Sequence, residues 1–168
     1  MPAHDATLAF MSICYVDTAV GRLAIEADHD AVTGLRWASP QEHVDEKTRD
    51  RTPSPVLEEA TRQLERYFAK TLKRFDLPLA PRGTDFQKRV WAMMSAIPYG
   101  ETATYGGMAM ALGSGPRPVG MACARNPIPI IVPCHRVLAS GGKEGGFSGG
   151  TGLPTKRQLL AIEGVVLL

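Results

Sequence analysis

The segment Pro133-Cys134-His135-Arg136-Val137 sets a thiol beside two potential cations, after an apolar run and ahead of a glycine-rich stretch. Nucleophilic cysteine chemistry needs a thiolate, and neighbouring imidazolium or guanidinium charge lowers a thiol's pKa, so these residue types suit a covalent acceptor. A buried structural cysteine beside a surface histidine fits the same residues, and local sequence does not separate the two. Successive residues of an extended strand face opposite ways, so contact between Cys134 and His135 requires a turn or a bridging water. Glu163 is the second unusual residue, because it falls at the C-terminal end of a helix, the unfavourable pole for a carboxylate. Orienting a histidine would explain it, as in Cys-His-acid relays; an exposed helix-end glutamate is the plainer alternative. His4, His29 and His43 lack cysteine or acid partners at metal-ligand spacing, so no metal is expected. Cys14, Cys123 and Cys134 form neither a CxxC pair nor an even disulfide set, which fits reduced thiols.

The elements that must position these groups fall into two blocks. Short apolar stretches at 13–16, 22–27 and 32–38 predict a small antiparallel meander. Residues 39–55 are polar and proline-punctuated, and read as a surface loop. Ser54 and Pro55 form an N-cap and first-turn pair, and Leu57, Ala60, Leu64, Tyr67, Phe68 and Leu72 share one helical face. After Gly83, Thr84 and Gln87 make a capping box for a helix with Phe86, Val90, Trp91, Met94 and Ile97 inward. A short helix over 105–112, a Gly-Ser-Gly-Pro turn at 113–116 and a helix starting near Arg117-Pro118 give a helix-turn-helix outline. Tyr105 heads the first of these helices and Arg117 the second, where side chains can meet nucleic acid; a half-buried core tyrosine and a solvated arginine are the plain alternatives. Residues 126–133, NPIPIIVP, read as a buried extended segment delivering the chain to Cys134. The glycines of 140–152 make a permissive loop, and Thr155 with Gln158 suggests a capping box for a last helix ending at Gly164. The expected fold is α/β (α+β), with domains at 1–83 and 84–168: a small antiparallel sheet with a helix, then a mostly helical helix-turn-helix domain.

The 168 residues are 44% hydrophobic and 21% charged, an ordinary globular balance that argues against wholesale disorder. No apolar run approaches the roughly 18–20 residues of a membrane span. The N-terminus has no basic region ahead of an apolar core, so a cytoplasmic protein is expected, nucleoid-associated in a prokaryote. The net charge of +2 hides an asymmetry: residues 1–83 carry 11 basic and 13 acidic side chains, residues 84–168 carry 8 and 4. A basic C-terminal half points weakly to a polyanion partner.

The strings IPYGETATYGGMA, RPVGMACARNPIPIIVPCHRV, GGFSGG and KRQLLAIEG resemble the O6-alkylguanine-DNA alkyltransferases. LERYFAKTLKRFDLPL and GTDFQKRVW, around the block boundary, are similar to that family as well. The resemblance implies repair by direct reversal: one alkyl group passes from guanine O6, less readily from thymine O4, to the protein's own cysteine, with no cofactor. It implies that Cys134 is the acceptor, that His135 acts as base through a water, that Glu163 orients His135, and that Asn126 is the hinge residue ordering the site. Tyr105 would promote flipping of the nucleotide and Arg117 would fill the space it leaves, with the helix-turn-helix in the minor groove. Arg136 would lie among the DNA contacts. Val137 would meet the base through its carbonyl, Phe147 would lie in the active-site loop, and Ser148 would offer its N–H to O6. The implied partner is double-stranded DNA carrying O6-alkylguanine, bound by a monomer, with cooperativity left open.

The chain departs from the family pattern in three places. Phe147 stands where tyrosine is common, Pro118 where alanine is usual, and the loop between Gly150 and Lys156 is lengthened. These bear on lesion range and loop mobility. A lesion binder of the same fold would lack Cys134, a Cys-His hydrolase would turn over repeatedly, and a plain helix-turn-helix regulator would have no use for PCHRV.

Overall fold

The computed structural model describes residues 11–43 and 54–167. Strands β1 (Ser12–Thr18), β2 (Gly21–Ala27) and β3 (Val32–Trp37) form the expected antiparallel meander. Thr18 pairs with Gly21 at the hairpin, where Gly21 takes φ +107°, a conformation glycine adopts without strain. Helix α1 (Pro55–Phe68) covers the sheet, its start set by the Ser54 hydroxyl accepting from Leu57 N–H at 3.2 Å. It buries Leu57, Ala60, Leu64 and Tyr67; Leu72 lies past its end. His4 and residues 44–53 of the expected surface loop lie outside the described residues.

Helix α2 (Asp85–Ser95) opens with the expected capping box: Thr84 N–H donates to Gln87 Oε1 at 3.0 Å, and Gln87 N–H to Thr84 Oγ1 at 3.2 Å. The helix-turn-helix follows as α3 (Tyr105–Leu112) and α4 (Pro116–Ala124). Thr104 caps α3, Gly113 ends it at φ +62°, and Pro116 occupies the tolerated first turn of α4. The Trp91 indole N–H donates to Ala122 O at 2.9 Å, joining α2 to α4.

Two expectations are corrected. Residues 126–133 are largely buried but fold back as a tight turn rather than running extended. Asn126 donates from Nδ2 to Val132 O at 2.7 Å and accepts at Oδ1 from Ile128 N–H at 3.0 Å, while Ile130 adopts φ +73°. A β-branched residue there stores about 1–3 kcal/mol of strain, which the surrounding bonds must hold. The last helix, α5 (Leu153–Ile162), begins two residues before Thr155, after Gly152 at φ +81° and with Pro154 in its first turn. Gln158 caps nothing; its amide donates to Ala19 O at 2.7 Å, back to the β1–β2 turn.

Between these turns, residues Cys134–Arg136 make one 3-10 turn, and β5 (Val137–Leu138) pairs in parallel with β4 (Ala103–Thr104). That pairing ties the head of the helix-turn-helix to the cysteine turn. One continuous apolar core runs from Leu23 and Ile25 of the sheet through Leu64 and Tyr67 to Met94, Val119, Ile128, Val137 and Leu159.

Candidate active site

Glu163 caps the C-terminus of α5, where the helix dipole disfavours a carboxylate, and it is buried. Four side-chain bonds compensate. Arg136 donates from Nε to Oε2 and from Nη2 to Oε1, each at 2.9 Å, a bidentate fork. The Tyr67 hydroxyl donates to Oε1 at 2.7 Å, and His135 Nε2 lies 2.8 Å from the same oxygen. Burial by itself would raise the Glu163 pKa, but the bonds from His135 and Arg136 outweigh it and hold the carboxyl at about 2. An ionised Glu163 accepts only, so His135 carries its proton on Nε2 and leaves a lone pair on Nδ1. That Nδ1 is buried and has no hydrogen-bond partner among the described residues. Burial, only partly opposed by Glu163, pushes His135 below its ordinary pKa and keeps it neutral. A neutral, oriented histidine with a free lone pair is a base.

Cys134 stands beside it at the wall of a cavity of 420 Å³, shared with Tyr105, Gly120, Cys123, Ala124, Gly146, Phe147 and Ser148. The expectation that adjacent cations depress this thiol is corrected. Burial raises its pKa, with the Asn126 side chain and the Lys156 charge opposing. The Arg136 charge is committed to Glu163, and His135 is uncharged. Lys156 is fully buried with no carboxylate partner among the described residues; its Nζ donates to Val137 O at 2.6 Å and Gly146 O at 3.2 Å. It thereby pins the glycine loop to the strand that follows the cysteine turn. Tyr105 packs on that loop, its hydroxyl 3.5 Å from Gly146 O and its pKa pushed up to about 12 by burial and the nearby thiols.

Models of two families match the chain: the ribonuclease-like domain of 6-O-methylguanine DNA methyltransferase over residues 11–81, and its DNA binding domain over 85–165. The methylated-DNA–protein-cysteine methyltransferase of Methanosarcina acetivorans is 41% identical over 150 residues, covering 88% of this chain and 95% of its own. Its Mycobacterium tuberculosis counterpart is 43% identical over 152 residues, with 88% and 89% covered. The chain belongs to the methylated-DNA–protein-cysteine methyltransferase family. The crystal structure of Mycobacterium tuberculosis OGT in complex with DNA superposes on this methyltransferase with a TM-score of 0.75 at 42% identity, over 89% of this chain and 90% of that one. A Methanococcus jannaschii O6-methylguanine DNA methyltransferase gives 0.67 at 27% identity, over 94% and 95%.

In this methyltransferase Cys134, Asn126, Tyr105, Phe147 and Ser148 line two cavities that share Cys134, and His135, next in the chain, is buried on Glu163. Arg117 is exposed in the first turn of α4. Arg136 requires a correction: it does not face outward toward DNA but is buried, with its third donor, Nη1, 2.6 Å from Ile97 O and its guanidinium over the Tyr99 ring. The Glu163 carboxylate, unsupported at a helix C-terminus, draws it in. Val137 is buried behind the cavity, its carbonyl holding Lys156. Sequence reasoning missed two residues. Tyr67 reads as one more apolar position on its helical face, and nothing local reveals a partner 96 residues away. Lys156 lies three residues before Leu159, on the inward face of α5, which was the available signal. Among the described residues no group of three or more His, Cys, Asp or Glu could hold a metal.

Proposed function

We propose that this protein repairs DNA by stoichiometric transfer of an alkyl group from guanine O6 to Cys134. The observation that carries the reading is His135, next in the chain to Cys134, with its Nε2 committed to Glu163 and its buried Nδ1 without a partner among the described residues. Because burial keeps Cys134 protonated, the thiolate forms when His135 Nδ1 takes the proton through a bridging water. Sulfur then attacks the alkyl carbon in line, the carbon–O6 bond breaks, and its electron pair stays with the guanine, which regains a proton. Glu163 stabilises the imidazolium that forms, and Arg136 and Tyr67 act through Glu163 as positioning residues. The thioether product is a poor leaving group, so each molecule acts once.

An alkyl carbon inside a stacked duplex is out of reach of a protein sulfur, so the nucleotide must be flipped, at a cost of a few kcal/mol. In this reading Arg117 enters the minor groove and fills the gap, and Tyr105 guides the base. Ser148 N–H is the base-edge contact, the Val137 carbonyl that the resemblance pairs with it being taken by Lys156 Nζ, and Asn126 orders the turn beneath. The partner is double-stranded DNA with O6-alkylguanine, bound by a monomer. Residues 1–83 and 84–168 are proposed as its two domains, and the cytoplasm as its location; among the described residues no helix is long and apolar enough to cross a membrane.

The test is intact mass after incubation with an O6-methylguanine duplex. A gain of one methyl, about 14 Da, on the parent and none on Cys134→Ala is the expected result for a covalent acceptor. Selective binding without mass gain would instead make the protein a lesion sensor.

A further inference from the structure

The acceptor thiol is approached from two sides. Besides the 420 Å³ cavity bordered by Tyr105 and Phe147, a second cavity of 300 Å³ reaches Cys134 from the sheet, lined among others by Leu35, Trp37, Pro129 and Gly149. Cys123, Cys134 and Ser148 border both. In-line displacement puts the departing oxygen and the attacking sulfur on opposite sides of the carbon. Any larger substituent on that carbon must therefore lie off the axis. A flipped base fills the larger cavity, which leaves the Phe147 wall and the sheet-side cavity as the room for that substituent.

One side chain limits both. The Trp37 ring meets Phe147 edge-on, with centroids 6.1 Å apart and planes at 88°. The backbone of Gly149 is wedged between them: a Cβ there would stand 2.5 Å from Trp37 Cζ3 and 2.8 Å from Phe147 Cε1. A Cβ on Gly150 would stand 3.0 Å from Trp37 Nε1. The indole is itself fixed, its N–H donating to Val20 O in the β1–β2 turn at 2.9 Å. Behind the loop that faces the lesion there is thus a rigid ring from β3, which makes no contact in the reaction just described.

We infer that Trp37 is a specificity-determining residue for the transferred group: by backing Phe147 and the Gly149-Gly150 backbone it limits how bulky an O6 substituent the acceptor site admits. The inference rests on the transfer reading above. A methyl group needs no room off the axis, so Trp37 acts selectively on larger groups such as benzyl.

The experiment compares single-turnover rates for duplexes carrying O6-methylguanine and O6-benzylguanine, followed by intact mass, on the parent, Trp37→Ala and Trp37→Phe. The methyl burst counts active molecules, so a partly misfolded variant still yields a valid ratio. Trp37→Ala is expected to raise the benzyl-to-methyl rate ratio about tenfold, the low end of what hydrophobic-pocket size discriminates, while Trp37→Phe stays near the parent ratio. A ratio unchanged in Trp37→Ala, or equal loss of both rates, overturns the inference and leaves Trp37 a packing residue. A parent protein that gains no methyl overturns the transfer reading itself, and the inference with it.

Discussion

Replacing Arg136 with methionine separates a DNA contact from a buried positioning residue. The side chain is 7% exposed and its partner carboxylate 0%, so the substitution strips a bidentate cation from a carboxylate that solvent cannot reach. Breaking one side of a buried pair costs about 3–5 kcal/mol. His135 and Tyr67 still donate to Glu163, which places the expected loss near the lower end, about 3 kcal/mol. Against a typical domain stability of about 5–15 kcal/mol the variant still folds, with a urea midpoint lowered by roughly 1–3 M. The Arg136 charge also opposes protonation of His135, so its removal moves the acid limb of the transfer rate to higher pH. DNA affinity and its salt dependence stay at parent values, whereas losing a phosphate-binding arginine would flatten the salt slope by about one unit. Urea unfolding, a pH–rate profile and a salt titration of binding to unmodified duplex measure the three effects. A stability loss below about 1 kcal/mol, or a salt slope reduced by about one, refutes the buried-pair argument.

Tyr67→Phe deletes one hydroxyl donor at 2.7 Å from Glu163 and leaves the ring in the core; chemical denaturation should show a loss of about 1.5–3 kcal/mol, the range for a hydrogen bond to a charged group. Stability should also fall on acidification in two stages, read by thermal melts across pH. His135 lies below its ordinary value of 6.5, so the unfolded chain takes up a proton below about that pH while the folded chain does not, and stability begins to drop there. Glu163, held at about 2 against an ordinary 4.5, stabilises fully above about pH 4.5 and loses that contribution as pH falls through its folded value. Flat stability from pH 7 to 3 would contradict both assignments. Lys156→Met removes the cation that favours the Cys134 thiolate and unties Gly146 from Val137. The pH dependence of iodoacetamide modification should then show a higher Cys134 pKa, and an unchanged profile would remove Lys156 from the electrostatics of the site.

Local chemistry made much of the scaffold readable. The Thr84–Gln87 box, the Ser54-Pro55 start, the glycine turn between α3 and α4 and the period-2 stretches of the meander are short-range signals, and each lies where its side-chain bonds require. Cys134, His135 and Glu163 stand out by residue type and position, and the strings around them carry the family pattern. Where short-range reading failed, a longer-range contact had won. Thr155 and Gln158 have capping-box spacing, yet Pro154 and Gly152 start the helix earlier and Gln158 reaches the β1–β2 turn.

What the sequence determined by itself is therefore the meander, the main helices, the reactive string and the family. Only the tertiary structure decided the electrostatics. A thiol beside histidine and arginine looks activated on paper, but burial raises Cys134, silences the His135 charge and assigns Arg136 to a carboxylate 27 residues away. Desolvation and pairing belong to the folded neighbourhood, since the same side chains in water would keep their ordinary pKa values. Trp37 is the same lesson in packing: nothing near it in the chain points to Phe147, and only the docking of the sheet on the glycine loop brings the two rings together.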